Sequence, residues 1–411
     1  MKVFKFGGAS VKDAAAVKNV AEIMSLFPGE NIVIVISAMG KMTNALEELA
    51  ELAYQKKDYK AQFDKVKKYH NDIIADLSIG LLMDYFFDMI ITNAEANRQM
   101  QWPQYYDQIV SIGELMSTTI VSSFLNEVEI QNEWLDARDV IKTDATWREG
   151  SVNWENTTEA TLNIIPEKLE TKHLITQGFI GKTPGGFTTT LGREGSDYTG
   201  AILANILQAE GLYIWKDVPG VLNADPKIFS DTVNIPELTY YEAIEMTYYG
   251  ATVIHPKTIK PLQNKQIPLY VRSFLHPAEP GTVVHHDELK KSYPPVIILK
   301  KNQTLLSIIT TDFSFIAEDN LSNIYNILSK HHVKVNMIQT AAMSCTISIE
   351  TNAYKEEQLE RDLQKQYKVV KNENLTLLTI RHYTKEIVDE LTEGKEILLT
   401  QRSRNTIQIL F

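Results

Sequence analysis

The chain has 411 residues, 44% hydrophobic and 23% charged, a composition that predicts an ordinary globular protein with two or three domains rather than one core. Its net charge of −11 argues against nucleic acid as a partner, and it requires that any anionic ligand meet positive charge concentrated locally. The single cysteine, Cys345, excludes disulfides within the chain and a cysteine-ligated zinc site; together with the lack of an apolar signal segment and of any stretch approaching ~20 apolar residues, it predicts a cytoplasmic protein with no membrane partner.

The first element is a short apolar run, Met1 to Phe6, that ends in "KFGGAS" (5–10). "NIVIVISAMG" (31–40) holds the continuous run Ile32 to Ile36, the pattern of a strand buried on both faces. "TNALEELAELAYQKK" (43–57) spaces Leu46, Leu49, Ala50 and Ala53 at three and four residues and predicts a helix. Segment 58–100 reads as a helical insertion. "HLITQGFIG" (173–181), "GLYIWKDVPG" (211–220) and "IPLYVRSF" (267–274) read as further buried strands. Between the first and second of these, "DYTGAILANILQAE" (197–210) opens on Asp197, a good N-cap residue, and repeats apolar residues helically. Strands alternating with helices predict an α/β domain with a mainly parallel sheet.

Near 276–295 the character changes to a linker rich in proline and charge. Strand, helix, strand and strand follow, in "QTLLSIITT" (303–311), "EDNLSNIYNILSKHH" (318–332), "VKVNMIQT" (333–340) and "SCTISIE" (344–350). Residues 375–411 repeat that order, an internal duplication whose second copy looks shortened. The expected partition is 1–285 for the α/β domain, 286–300 for a linker, 301–372 for the first module and 373–411 for the second, with interleaving of the two allowed.

Four stretches can carry chemistry. In "KFGGAS", a lysine beside Gly7 and Gly8 at a strand end suits an anion, because exposed amides and an ammonium group converge there; a tight turn after an edge strand is the alternative. "TTTLGREGSDYTG" (188–200) repeats the device, with glycines around Arg193 and a hydroxyl at a helix start. Two such loops at strand–helix junctions of one α/β domain place a ligand at the carboxyl ends of the strands. Neither fits the G-x-x-x-x-G-K-[ST] or G-x-G-x-x-G patterns, so a nucleotide would be held by another scheme. "WKDVPGVLNADPK" (215–227) sets Lys216, Asp217, Asp225 and Lys227 around a turn, either as a solvated surface or as a phosphate rim. Glu114 in "SIGELMST" (111–118) either caps a helix or receives an ammonium group. His255 and the His pairs at 285–286 and 331–332 read as structural or surface residues.

Taken together, "KFGGAS", "SAMGKMTNAL", "SIGELMST", "QGFIG…TTTLGREGSDYTGA", "WKDVPGVLNADPK" and "GATVIHPKT" resemble, in order and spacing, the aspartate kinases (aspartokinases) of the amino-acid kinase fold, and the tail resembles their paired ACT regulatory modules. The resemblance covers essentially the whole chain. It implies an α/β fold with a mainly parallel sheet flanked by helices, followed by α+β ACT-type modules. It also implies transfer of the ATP γ-phosphoryl group, with Mg²⁺, to the side-chain carboxylate of L-aspartate, the first step toward lysine, threonine and methionine. The chain ends at Phe411, which implies a monofunctional form without a homoserine dehydrogenase. By the resemblance, Lys5 and Asp197 are catalytic. Ser37, Thr43, Glu114, Arg193 and Ser196 bind aspartate. Lys5, Gly7, Gly8, Ser10, Lys216, Asp217, Leu222, Lys227 and Thr252 bind the nucleotide. Asp312, Ser314 and Asn336 correspond to an effector site, and the ACT modules imply a homodimer or larger oligomer. Four positions depart from the commonest family pattern: Ala9 replaces Thr, Glu194 replaces Gly, Leu222 replaces Tyr and Thr252 replaces Lys. "QTAAMS" also lacks an effector-loop Ser. The rival readings are another amino-acid kinase, acting on glutamate, acetylglutamate or a uridine nucleotide, and a non-catalytic amino-acid sensor.

Overall fold

The computed structural model describes residues 1–96, 98–251, 254–286, 292–312 and 314–411, with the side chains of 353–355 left aside. The chain forms two compact units, one of residues 1–221, 234–244 and 253–289, the other of 222–233, 245–252 and 290–411.

The first unit is built on strands β1 (Lys2–Phe6), β2 (Ile32–Ile36), β3 (Asn132–Leu135), β4 (His173–Gln177), β7 (Leu212–Lys216), β8 (Glu237–Thr239), β9 (Leu269–Ser273) and β10 (Thr282–His285), with a separate hairpin of β5 (Ile180–Lys182) and β6 (Thr188–Thr190). The sheet order is β3-β4-β2-β1-β7-β9-β10-β8. Every pairing is parallel except that of β9 with β10. All five residues of β2 are buried, as their unbroken apolar run predicts for a central strand covered by helices on both faces. Helices α1 (Ala14–Ser25), α2 (Met42–Tyr54), α3 (Lys60–Leu77), α4 (Asp84–Ala96), α5 (Trp102–Val110), α6 (Ile112–Glu127), α7 (Ala137–Val140), α8 (Trp154–Leu169) and α9 (Gly195–Ile206) cover it, followed by α10 (Tyr240–Tyr249) and α11 (Pro256–Lys265). The stripe Leu46, Leu49, Ala50 and Ala53 is the buried face of α2. The insertion at 58–100 is helical, in α3 and α4.

One expectation needs correction. The stretch Trp102–Glu127 is long and apolar enough, by length and composition, to cross a membrane. It is the buried heart of the unit, with 89% of its most apolar window covered, and α6 is apolar around most of its circumference because it packs on several sides.

The second unit carries one antiparallel sheet, ordered β12-β13-β11-β14-β16-β15. Its strands are β11 (Val296–Thr310), β12 (Val335–Thr340), β13 (Ser344–Glu350), β14 (Tyr367–Arg381), β15 (Leu399–Arg402) and β16 (Thr406–Leu410); its helices are α12 (Glu318–Lys330), α13 (Ala353–Leu363) and α14 (Lys385–Thr392). Strands β11 and β14 are 15 residues each and pair along their whole lengths through register shifts near 300–305. Their halves belong to two modules. Thr304–Thr310 and Tyr367–Asn372 pair beside β13, whereas Val296–Lys300 and Leu375–Arg381 pair beside β16. Residues 296–300, read from sequence as linker, are therefore strand. The second copy looks shortened because its remaining strand is supplied by the front of β11.

Candidate active site

The carboxyl ends of β4, β2, β1 and β7 lie side by side, and the residues that follow them converge. Lys5 is the penultimate residue of β1, level with Val35 of β2 and Ile214 of β7. Only 6% of it is exposed, and its Nζ lies 2.6 Å from Asp197 Oδ1. Lys216, at the end of β7, brings its Nζ to 3.4 Å from Asp197 Oδ2. Burial pushes the Asp197 carboxyl up, but the ammonium groups of Lys5 and Lys216 outweigh it and hold the group below the usual carboxylate range. Asp197 is thus a fixed anion that aligns two lysines.

The N-cap assignment for Asp197 is corrected. Helix α9 begins at Gly195, its cap is Glu194 in a left-handed backbone at φ 55°, and Asp197 sits in the first turn with its carboxylate turned to the lysines.

A cavity of about 890 Å³ opens from this triad, lined by Lys5, Ser37, Thr43, Glu114, Arg193, Ser196 and Asp197 among others. These are the seven positions assigned to catalysis and acceptor binding, drawn from β1, the β2–α2 loop, α2, α6, the β6–α9 loop and the first turn of α9. Glu114 makes no cap. It lies in the first turn of α6, 2% exposed; its Oε1 accepts the Ala38 N–H at 3.4 Å, and its Oε2 is buried without a hydrogen-bond partner. Burial pushes its carboxyl up to about 8. Arg193 makes no ion pair with any described residue. The cavity therefore offers a guanidinium with no ion-pair partner among the described residues, an undersatisfied carboxyl, and Lys5 aligned by Asp197, whose other oxygen is held by Lys216.

The positions assigned to the nucleotide are placed differently. Gly8 is glycine for packing, since a Cβ there would meet the carbonyl oxygens of Ala38 at 2.7 Å and Gly40 at 2.8 Å; Gly7 would place one 3.5 Å from Lys5 Nζ. Ser10 is 2% exposed and donates its hydroxyl to the Trp215 carbonyl at 3.3 Å, so it ties the turn after β1 to β7 rather than lining the cavity. Asp217 is exposed beside Lys216. Leu222 and Lys227 belong to the second unit and do not line this cavity. Thr252 lies outside the described residues. His255 is structural, its Nδ1 accepting the Lys257 N–H at the start of α11.

Sequence reasoning missed a further part of the wall. Tyr106, Trp147, Arg148, Glu149 and Phe179 also line the cavity. Arg148 N–H donates to Asp107 Oδ2 at 2.9 Å, and the Thr190 hydroxyl donates to Asp107 Oδ1 at 2.7 Å. Burial lifts the Asp107 carboxyl to about 6 against these bonds. No local pattern in the polar run "TDATWREGS" (143–151) marks a loop that folds back over a pocket.

In the second unit, Ser314 N–H donates to Asp312 Oδ1 at 3.1 Å on the surface. Asn336 instead lines a groove of about 510 Å³, with its Oδ1 accepting from Lys300 Nζ at 3.0 Å and its Nδ2 donating to Gln303 Oε1 at 2.7 Å. The groove does not include Asp312 or Ser314.

A profile of the amino acid kinase family matches residues 1–273. Lysine-sensitive aspartokinase 3 of Escherichia coli is 34% identical over 357 residues, 85% of this chain and 78% of that protein. Aspartokinase 1, chloroplastic, of Arabidopsis thaliana is 30% identical over 370 residues, 85% of this chain and 63% of that protein. Among solved structures, E. coli aspartokinase III in complex with lysine and aspartate (T-state) superposes with a TM-score of 0.82 at 29% identity, covering 100% of this chain and 96% of the other. The same enzyme in complex with aspartate and ADP (R-state) gives 0.81 at 28% identity over the same shares.

Proposed function

We propose, from the premise that this chain belongs to the amino acid kinase family and within it to the aspartokinases, that its cavity binds L-aspartate beside ATP and transfers the γ-phosphoryl group to the side-chain carboxylate, giving 4-phospho-L-aspartate and ADP. The observation that carries this reading is the convergence of Lys5, Asp197 and Lys216 with Glu114 and Arg193 at one end of the sheet.

A carboxylate acceptor is already a nucleophile, so no general base is required. The obstacle is holding it against a polyphosphate of the same sign, which makes catalysis a matter of positioning and charge stabilisation. Arg193 grips the α-carboxylate of the acceptor and Glu114 its ammonium group, with Ser37, Thr43 and Ser196 completing the pocket. That leaves the side-chain carboxylate facing Lys5. Lys5 and Lys216, aligned by Asp197, neutralise the phosphoryl group in flight. Gly7 and Gly8 bring the chain close to the phosphates. Asp197 turns both oxygens to lysines and does not fit as a metal ligand. The Mg²⁺ that accompanies ATP supplies charge neutralisation between phosphates and is assigned to the nucleotide.

Residues 1–285 are the proposed catalytic region, and the two interleaved modules beyond them are the proposed regulatory region. The E. coli enzyme seen with lysine supports an amino-acid effector at these modules, with Asn336 the position placed in a groove. A homodimer or larger oligomer, and a cytoplasmic location suited to a buried free Cys345, complete the reading.

The test is ADP release with Mg-ATP and a panel of acceptors, repeated with lysine, threonine and methionine. Turnover confined to aspartate supports the reading. Turnover confined to glutamate, acetylglutamate or a uridine nucleotide selects the rival kinase. Aspartate binding without turnover selects a sensor.

A further inference from the structure

The segment Thr146–Glu149 forms a strap along one wall of the acceptor cavity, and Arg148 is its anchor. Arg148 adopts φ 67°, a left-handed backbone that suits glycine better than a residue with a long side chain. Its side chain explains why an arginine stands there. The guanidinium carbon sits 4.1 Å from the centroid of the Tyr106 ring on α5. The Nη2 atom lies 3.1 Å from Glu47 Oε1 on α2, one turn beyond Thr43 and so on the same helix face. The backbone N–H is held by the buried Asp107 carboxylate at 2.9 Å.

On its other side the strap leans on the acceptor loop. A Cβ on Gly192 would lie 3.1 Å from the Arg148 carbonyl oxygen and 3.2 Å from Glu149 Cγ. The Gly150 N–H continues the contact, donating to the Thr190 carbonyl at 2.8 Å. Arg148 therefore ties α2, α5 and the turn before Arg193 to one wall of the pocket.

We propose that Arg148 is a positioning residue that fixes the depth of the acceptor pocket, by holding the 146–149 strap against the Gly192–Arg193 turn, and so selects an amino-acid acceptor with the side-chain length of aspartate over one a methylene longer. The proposal rests on the acceptor-pocket reading above, which turnover of aspartate by the unaltered protein tests separately. One methylene in a fitted pocket discriminates by roughly 10–200-fold, so loosening one wall is enough to lose most of the selectivity.

The test compares R148G, R148K and E47Q with the unaltered enzyme, using aspartate as acceptor and glutamate both as alternative acceptor and as competitive inhibitor. R148G relieves the backbone and removes the anchor. Its aspartate KM is expected to rise about 10-fold with kcat within about 2-fold, and its preference for aspartate over glutamate to fall by about 10-fold or more. R148K keeps a cation for Glu47 but loses the planar stack on Tyr106, and it should fall between R148G and the unaltered enzyme. E47Q removes one tether and should shift the preference the same way by less. A merely structural role would lower kcat or stability with the aspartate-to-glutamate preference intact, and that result would overturn the proposal. If R148G does not fold, an unchanged preference in both R148K and E47Q overturns it equally.

Discussion

Lys5 and Asp197 meet at 2.6 Å, joining the end of the first strand to the first turn of helix α9, 192 residues later in the chain. Asp197 is 1% exposed and turns its second oxygen to Lys216. A buried carboxylate that holds two lysines keeps them aligned for an anion that arrives later. In the proposed role, the interaction of Lys5 with the phosphoryl group grows as charge is transferred, so Lys5→Ala should lower kcat by about 10²–10³-fold. The aspartate KM should stay within about 3-fold. Initial-rate kinetics decide: a steep rise in KM with kcat preserved would assign Lys5 to substrate binding instead.

Arg193 carries the converse prediction. Its guanidinium lines the cavity without an ion-pair partner among the described residues, which suits the proposed role of gripping the ligand. Arg193→Ala should raise the aspartate KM by roughly 10–100-fold, the value of a charge-assisted hydrogen bond, with a much smaller change in kcat. An unaltered aspartate KM in that variant removes the assignment.

In the proposed role, Glu114 should make the enzyme sensitive to pH in two measurable ways. Burial pushes its carboxyl from the ordinary 4.5 up to about 8, so the empty pocket holds it protonated at neutral pH. The ionised form is the one that pairs with an ammonium group. The kcat/KM for aspartate should therefore rise with pH and level off above about 8, and Glu114→Gln should flatten that slope. For stability the raised folded-state value means that Glu114 contributes fully below the unfolded value. That contribution is lost as pH climbs through about 8. Melting curves of the unaltered chain should fall across this window more steeply than those of Glu114→Gln; parallel curves would contradict the assignment.

Gly8 tests the packing account of the first loop. A Cβ there would sit 2.7 Å from the Ala38 carbonyl oxygen and 2.8 Å from that of Gly40, both main-chain atoms that cannot swing away. Gly8→Ala should cost about 1–3 kcal/mol of unfolding free energy in a denaturant titration. Full stability with activity lost would instead make Gly8 a ligand-contact residue alone.

The elements that sequence made legible are those whose signal is local. The unbroken run Ile32–Ile36 is a central strand, and the spacing of Leu46, Leu49, Ala50 and Ala53 is the buried face of a helix. The loops around Lys5 and Arg193 could be read because each concentrates glycines and a cation within a few residues. What sequence did not reveal depends on return in space. Asp197 looked like a helix cap because the partners that claim its carboxylate, Lys5 and Lys216, are fixed only when β1 and β7 pair. Nothing local singled out Arg148, because Tyr106, Glu47 and Asp107, which hold it, lie 41 to 101 residues away. The second C-terminal copy looked cut short because its missing strand is the front of β11, ahead of the expected boundary.

The central claim is that the side-chain carboxylate of aspartate takes the phosphoryl group in the cavity around Lys5. The most direct measurement is to run the reaction with Mg-ATP, L-aspartate and hydroxylamine, and to count ADP against trapped hydroxamate. Aspartate β-hydroxamate and ADP should form in equal amounts, and neither product should form with the Lys5→Ala variant above its residual rate. ADP formed without hydroxamate, or hydroxamate formed equally well by Lys5→Ala, would contradict it.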